Sequence, residues 1–387
     1  MSSIKLGDRS LFPKLSHNIY LNHAAISPIS IPIEEALQKC MTEYASKGVS
    51  AFPLYMEQRD RLRQKIAHFL HCSTQEIAFV NNTTTGIIQI SQNLKWKHGD
   101  TIILLEGEFP TNITPWQQVT RQHRLQIQWM QCNDFRQPEQ ALEKLQKILQ
   151  QGIRLMSISA VQFQTGLRLP VEKIGELCHQ YNCLLFVDGI QCLGATPIDL
   201  THVDFLSAGG HKWLMGLEGT GILYAKESVH DQLSPNTAGW ISHENGFQFL
   251  FEGAGHLRYD RPIIKNIHFV EAGVYNAMGL VALEQSIDIL DSLGVNNIFR
   301  HINDYFNKIE PQLIDWGFVS QRCLSSGRST ILSLKAPPHI DTPQLPTILE
   351  SKGISCSYPD GLLRFAPHWC NPLSETEELL NVIEDIT

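Results

Sequence analysis

A lysine that could act as an amine nucleophile lies in the heptapeptide 207–213, whose sequence is Ser-Ala-Gly-Gly-His-Lys-Trp. Two glycines precede His211 and Lys212, and they would permit close approach of the backbone to a ligand. A lysine in a dry pocket has a lowered pKa and can attack a carbonyl carbon to form a Schiff base. The heptapeptide by itself leaves a solvated surface lysine as an equal alternative.

An aspartate ends the apolar run Leu-Leu-Phe-Val-Asp at 184–188, and Gln191 follows it three residues later. Ligands of open parallel sheets bind at the carboxyl ends of the strands, which is where Asp188 would lie. A buried carboxylate needs a partner, and a pyridinium N–H would supply one. The alternative is that Asp188 only caps the next helix. Asp188 and Lys212 at the ends of successive strands could face a common ligand.

The segment 81–87, Asn-Asn-Thr-Thr-Thr-Gly-Ile, follows another apolar run and opens a helical pattern. Hydroxyl groups and free backbone N–H groups would converge at the N-terminus of that helix, where phosphate binds readily. The alternative is a threonine-rich helix cap without a ligand.

The elements that must position these residues alternate between about residue 77 and residue 225. Short apolar runs, several of them apolar on both faces, are separated by amphipathic segments such as 170–181. The pattern predicts an α/β fold in which helices cover a mainly parallel sheet. The predicted strands are 76–80, 101–105, 125–130, 155–160, 183–187, 203–206 and 221–225.

The C-terminal third differs and predicts a smaller α+β domain. It is expected to contain helices at 273–293, 297–316 and 343–351, an apolar strand at 330–334, short strands around Ile354 and Leu363, and a final helix from about Glu375. We therefore expect a large domain of residues 17–285 and a small domain of residues 1–16 and 286–387. Their interface is a natural place for a ligand.

Composition restricts the function classes. The 387 residues include 31 Lys and Arg against 39 Asp and Glu, a net charge of −8 without a basic tail, so we expect no nucleic-acid partner. No apolar run approaches the roughly 20 residues of a membrane span, and no secretory signal is visible. The nine cysteines are scattered without a C-x-x-C pair. We therefore expect no metal site and a reducing, cytoplasmic location.

Together these motifs resemble the fold-type I enzymes that depend on pyridoxal 5′-phosphate (PLP), in the class V aminotransferase family. That family includes cysteine desulfurases, cystine C–S lyases, isopenicillin N epimerase-like enzymes and several aminotransferases. The resemblance extends from the hexapeptide Tyr-Leu-Asn-His-Ala-Ala at 20–25 to Arg364 and the last helix. It implies a large PLP-binding domain, a smaller C-terminal domain, PLP as the cofactor and a homodimer.

The resemblance also implies roles for matched positions around the cofactor. Lys212 would be the catalytic lysine that forms the Schiff base, and Asp188 would pair with the pyridine nitrogen. The other cofactor-binding positions would be Thr84 and Thr85 at the phosphate, His211 beside it, Gln191 at the ring hydroxyl, and Phe109 stacked on the ring. A phenylalanine can stack but cannot transfer a proton.

Substrate-binding roles follow from the same resemblance. Arg364, in the segment Leu-Arg-Phe-Ala-Pro-His at 363–368, would bind the α-carboxylate of an amino acid through both arms of its guanidinium. Asn22 and His23 would contact the substrate as well. The alternative for Arg364 is a surface ion pair.

Three departures from the family pattern bear on details of the site. Many relatives have a phosphate-binding serine three positions before the lysine, where this chain has Gly209. Relatives often have a threonine that reaches the phosphate of the partner subunit, where this chain has Val274. Cys356 comes too early to be the persulfide-forming cysteine of the desulfurases, and we expect it to be a buried thiol.

The predicted function is that of a PLP-dependent enzyme acting on an α-amino acid through an external aldimine and a quinonoid. Transamination is the leading expectation. The alternatives are β-elimination from a cysteine- or cystine-like substrate and epimerisation of an amino acid. A PLP-binding scaffold without catalysis is the non-enzymatic alternative.

Overall fold

A seven-stranded sheet forms the centre of the molecule in a computed structural model that describes residues 4–322, 325–340 and 342–386. Its strands are β2 Ile77–Val80, β3 Thr101–Glu106, β4 Gln126–Gln131, β5 Leu155–Ser159, β6 Leu184–Asp188, β7 Phe205–Gly209 and β8 Gly221–Ala225, in the order β2-β8-β7-β6-β5-β3-β4. Strand β8 runs antiparallel to both of its neighbours, and the other pairs are parallel. The predicted α/β fold with a mainly parallel sheet is confirmed.

Both faces of the central strands are buried, as the continuous apolar runs predict. All residues of β5, β6 and β7 are buried. In β6, Leu185 and Val187 pack into one hydrophobic cluster, whereas Leu184 and Phe186 pack into a second cluster on the opposite face. The carboxyl ends of these strands are therefore held in a dry, close-packed environment.

Helices surround the sheet and continue into the C-terminal third. Their bounds are α1 Ile31–Lys47, α2 Phe52–Phe69, α3 Thr83–Asn93, α4 Thr114–His123, α5 Pro138–Leu149, α6 Val171–Gln180, α7 Gln248–Phe251, α8 Ala277–Leu293, α9 Val295–Asp315, α10 Leu345–Ser351 and α11 Glu375–Glu384. Five of them (α1, α2, α4, α5 and α10) have a proline in the first helical positions, where the missing N–H breaks no bond. Among the described residues, no helix combines the length and the apolar character that a membrane span requires.

The C-terminal third contains a small antiparallel sheet of β9 Val319–Ser320, β10 Leu332–Lys335 and β12 Leu363–Phe365. A separate parallel pair joins β1 Ile19–Tyr20 to β11 Ile354–Ser355. The N-terminal segment from residue 19 is therefore hydrogen-bonded to the C-terminal third, although the predicted boundary assigns it to the large domain. The limits of the large domain (17–285) and of the small domain (1–16 and 286–387) stay predictions.

Helix α3 approaches strand β7 unusually closely at Gly86. A Cβ atom on Gly86 would lie 2.7 Å from Cβ of Ser207, and a hydrogen bond of 2.9 Å joins the Gly209 N–H to the Thr83 hydroxyl. The helix N-terminus is thereby fixed against the strand that leads to Lys212. Glycine is required at residue 86 because any side chain would collide with Ser207.

We expect Gly86→Ala to lower the free energy of unfolding by about 1–3 kcal/mol, because the added methyl group overpacks the contact with Ser207. Urea denaturation measures the change. The control is Gly273→Ala, since a Cβ atom on Gly273 meets nothing within 4 Å. Equal stability of the two variants would contradict the close approach.

Candidate active site

Lys212 lies in the loop of residues 210–216, called the lysine loop below, which directly follows β7. Burial lowers the pKa of Lys212 to about 8; the charge of Asp188 opposes this shift and the charge of Arg364 adds to it. Its Nζ atom lies 5.9 Å from the centre of the Phe109 ring. The structure therefore brings Asp188, Arg364 and Phe109 together around the Lys212 amine, and the lowered pKa makes the neutral amine more populated near neutral pH than in an exposed lysine.

Asp188 is the last residue of β6 and is 1% exposed. Its Oδ1 atom accepts the backbone N–H of Ile190 at 3.0 Å. Burial raises the pKa of Asp188 to about 6, and the hydrogen bond from Ile190 and the charge of Lys212 oppose this shift. A buried carboxyl in this state is suited to accept a charged N–H group from a ligand.

The N-terminus of α3 has the features expected of a phosphate site. Asn82 caps the helix, and its side chain accepts the backbone N–H of Thr85 at 2.8 Å and the Thr85 hydroxyl at 3.1 Å. The Thr84 hydroxyl is hydrogen-bonded to the Thr111 hydroxyl. Thr83, which the sequence analysis assigned no role, uses its hydroxyl to accept the Gly209 N–H. Thr84 and Thr85 therefore remain the predicted phosphate ligands.

Arg364 lies in β12 and is 5% exposed. It donates to the carbonyl of Phe163 at 2.7 Å and to the Ser357 hydroxyl at 3.0 Å. Burial lowers its pKa to about 10. The Phe163 ring in turn meets the Phe109 ring edge-on, with the ring centres 5.2 Å apart. A buried guanidinium whose described partners are neutral, and which has further N–H groups to donate, is suited to bind a carboxylate.

One predicted cofactor ligand, Gln191, already has protein partners. The Gln191 amide donates to the Ala24 carbonyl at 3.0 Å and accepts the Trp213 indole N–H at 2.8 Å. Burial lowers the pKa of half-buried His211, and the charge of Lys212 adds to this shift. The roles of Gln191 at a ring hydroxyl and His211 beside a phosphate stay predictions.

Asn22 and His23 occupy different environments. The Oδ1 atom of Asn22 is buried and has no hydrogen-bond partner among the described residues. His23 is fully buried, and its Nδ1 atom lies 2.7 Å from the Ser27 hydroxyl. The Oδ1 atom of Asn22 is therefore available to accept a hydrogen bond from a ligand. The burial of His23 and its contact with Ser27 favour a structural role for His23 over contact with a substrate.

Glu108 is a site residue that the sequence analysis left without a role. Its carboxylate accepts the backbone N–H of Ser159 at 2.6 Å and also the Ser159 hydroxyl. Burial raises the pKa of Glu108 to about 7; the bonds from Ser159 oppose this shift and the charge of Asp188 adds to it. The one sequence feature that could have identified Glu108 is its position directly before Phe109. Its proximity to the end of β5 is a result of the fold and leaves no local pattern in the sequence.

Comparisons with known proteins agree on one family. A family model described as aminotransferase class-V matches residues 19–361. A probable cysteine desulfurase of Methanothermobacter thermautotrophicus is 26% identical over 295 residues, which cover 75% of this chain and 70% of that protein.

Two solved structures share the fold. The apo structure of a cysteine desulfurase from Thermococcus onnurineus NA1 has a TM-score of 0.84 and 22% identity, and the match covers 100% of this chain and 99% of that chain. The cystine C–S lyase C-DES, solved in complex with its reaction product cysteine persulfide, has a TM-score of 0.87 and 20% identity, and the match covers 97% and 99% of the two chains.

The raised pKa of Glu108 makes stability depend on pH. The folded-state pKa of Glu108, about 7, exceeds its ordinary value of 4.5. The contribution of Glu108 to the free energy of unfolding is therefore full below pH 4.5 and is lost as the pH rises through 7. Glutamine cannot ionise. We therefore expect the unfolding free energy of Glu108→Gln, relative to the wild type, to increase by about 1–3 kcal/mol between pH 5 and pH 8.

Urea denaturation at a series of pH values measures this difference. The matched control is Glu106→Gln, a substitution of an exposed glutamate two residues earlier. A pH-independent difference between Glu108→Gln and the wild type would show that folding does not raise the pKa of Glu108.

Proposed function

The chain belongs to the class V aminotransferase family of PLP-dependent enzymes, and on this premise we propose that it cleaves the C–S bond of a cysteine- or cystine-type amino acid by β-elimination. The observation that carries the proposal is the set of relatives, because proteins named cysteine desulfurase or cystine C–S lyase match most of the chain. Transamination, the leading expectation from the sequence, becomes the second candidate.

The cysteines near Arg364 favour elimination over transfer of sulfur to an enzyme thiol. Cys356 directly follows β11, and burial raises its pKa to about 12. Cys370 is buried, and burial also raises its pKa. A thiolate is the form that attacks sulfur, so two protonated thiols are poor acceptors. The turn between β11 and β12 spans only residues 356–362.

The described residues fit PLP. Asp188 offers a buried carboxyl for the ring nitrogen, the N-terminus of α3 offers the positive end of a helix dipole for the phosphate, and Lys212 offers an amine for the aldehyde. Phe109 offers an aromatic face near that amine. When bound, PLP supplies an electron sink that stabilises negative charge at the α-carbon of an amino acid.

Three residues of the chain would bind the substrate, transfer its α-proton and hold the ring nitrogen. Arg364 binds the α-carboxylate and so orients the Cα–H bond of the substrate toward Lys212. Lys212, with its pKa lowered to about 8, accepts the α-proton at Nζ. Asp188 would accept the N–H group of a bound pyridine ring and so favour the protonated form of that nitrogen. The sulfur leaves with the electron pair of the C–S bond.

We further propose that the protein is a cytoplasmic homodimer. Large apolar side chains are exposed along residues 250–274, including Leu250 at 51%, Leu257 at 62% and Val274 at 68%. A second copy of the chain would cover them. The eight cysteines of the described residues are free thiols, which suits a reducing compartment.

A product assay tests the reaction. With PLP and without any 2-oxo acid acceptor, we expect pyruvate and ammonia from either substrate, together with cysteine persulfide from L-cystine or sulfide from L-cysteine. Cys356→Ser should keep wild-type turnover, because elimination needs no enzyme thiol. A 2-oxo acid formed only with an acceptor would establish transamination instead. A persulfide on the protein that disappears in Cys356→Ser would establish sulfur transfer.

Arg364→Ala separates substrate binding from cofactor binding. The loss of a charge-assisted, two-armed contact should weaken substrate binding by about 2–5 kcal/mol, so kcat/KM should fall at least about a hundredfold. The variant should stay yellow, because the proposed cofactor ligands are other residues. Arg364→Lys is the matched control, and it should recover little because an ammonium lacks the planar fork. Loss of PLP from Arg364→Ala would assign Arg364 to the cofactor.

A further inference from the structure

The backbone of the lysine loop is held at four consecutive carbonyl groups, those of residues 211–214. Ser27 donates its backbone N–H to the His211 carbonyl at 2.8 Å and its hydroxyl to the Lys212 carbonyl at 2.6 Å. His368 lies with its Nε2 atom 3.0 Å from the Trp213 carbonyl. The hydroxyl of Ser286, in α8, donates to the Leu214 carbonyl. Donors from three separate parts of the chain therefore fix this one segment.

The direction of the hydrogen bonds around Ser27 follows from their acceptors. A carbonyl only accepts, so the Ser27 hydroxyl hydrogen points to Lys212 and its oxygen must accept from the Nδ1–H of His23, 2.7 Å away. This leaves the Nε2 atom of His23 as an acceptor, 3.9 Å from the Cys370 sulfur. Burial holds the pKa of His23 well below its ordinary value, so the ring stays neutral in this role.

The tautomer of His368 is defined in the same way. Its Nδ1 atom accepts the Trp369 backbone N–H at 2.7 Å, so Nε2 carries the hydrogen that is donated to the Trp213 carbonyl. Burial lowers the pKa of His368 to about 4. His368 is four residues after Arg364, so the segment with the proposed substrate ligand is itself bonded to the lysine loop.

The segment 21–27 joins the same two parts a second time. The His23 N–H donates to the Ala366 carbonyl at 3.1 Å, and the Ala366 N–H donates to the Leu21 carbonyl at 2.8 Å. The strand with Arg364 and the loop with Lys212 are therefore connected both through Ser27 and through His368. Ser27 and His368 are buried, so water does not compete for these bonds.

We propose that Ser27 and His368 are positioning residues that fix the separation of the Lys212 amine from the Arg364 guanidinium, and that His23 orients Ser27. The inference rests on the proposed function of Lys212 and Arg364. A substrate bound by its carboxylate presents its α-hydrogen to the amine only at one separation. Displacement of a reacting group by about 1 Å can lower a rate about a hundredfold.

The test measures exchange of the α-hydrogen of L-alanine in D2O by the PLP-loaded protein. L-alanine has no leaving group, so exchange reports proton transfer to Lys212 whichever product the enzyme forms. We expect Ser27→Ala to lower kcat for exchange at least about tenfold with KM changed less than about threefold, because the misplaced lysine still leaves the carboxylate site intact. Ser27→Thr, which keeps the hydroxyl, should restore exchange.

Ser329→Ala is the matched control. Ser329 is also fully buried, and its hydroxyl donates to the Gly166 carbonyl at 2.6 Å, away from the lysine loop. It should lose similar stability but keep its exchange rate. The inference would be overturned if Ser27→Ala exchanged as fast as Ser329→Ala. It would also be overturned if Ser27→Ala changed only KM and left kcat unchanged. If Ser27→Ala does not fold, the same criteria apply to His368→Leu, with His368→Gln as the variant that keeps a donor.

Borohydride reduction and peptide mapping distinguish this failure from failure of the proposed function. A pyridoxyl label on Lys212 in all variants, with exchange unchanged in Ser27→Ala, overturns the positioning role alone. A label on another lysine, or no exchange in the wild type, overturns the proposed function and the inference together.

Discussion

Lys212 and Asp188 are withdrawn from water at the carboxyl ends of two neighbouring strands, and the rest of the site depends on this burial. The fall in the pKa of Lys212 from 10.5 to about 8 corresponds to about 3 kcal/mol against the charged amine. The same dry environment raises the pKa of Asp188 to about 6. A site of this kind is stable only if the surrounding packing over-determines the positions of both groups.

The surrounding structure fixes the positions of Lys212 and Asp188 in two ways. Strands β6 and β7 are buried along their whole length, so their ends cannot move without breaking the two hydrophobic clusters. The lysine loop has no regular structure of its own, and its carbonyl groups are instead held by buried donors from distant segments. The N-terminal segment 19–27 therefore forms part of the candidate active site, although it lies far from Lys212 in sequence.

The sequence predicts those features that local patterns determine. Apolar runs place six of the seven sheet strands within one residue of their observed ends, and Asp188 ends one of these strands. The predicted strand 203–206 is the exception, because the observed strand continues three residues further, through Ser207 and Ala208 to Gly209, before the lysine loop begins. Contacts over long separations leave no such pattern. Ser27 bonds to Lys212 across 185 residues, and Glu108 bonds to Ser159 across 51. His23 matched a family motif, yet its burial, which decides between substrate contact and an internal role, depends on the fold.

With Phe109 as the proposed stacking residue, the proposed proton transfer depends on Lys212. Phenylalanine can stack on a ring but holds no exchangeable proton. Glu108, beside it, accepts two hydrogen bonds from Ser159, and the charge of Asp188 adds to the rise in its pKa. Of these side chains, the Lys212 amine alone combines a pKa near 8 with hydrogen-bonding capacity not taken up by the protein. The rate of the proposed proton transfer then depends on the position of that amine, since no second acid–base group among these side chains can replace it. For this reason the hydrogen bonds to the lysine loop contribute to the proposed chemistry as well as to stability.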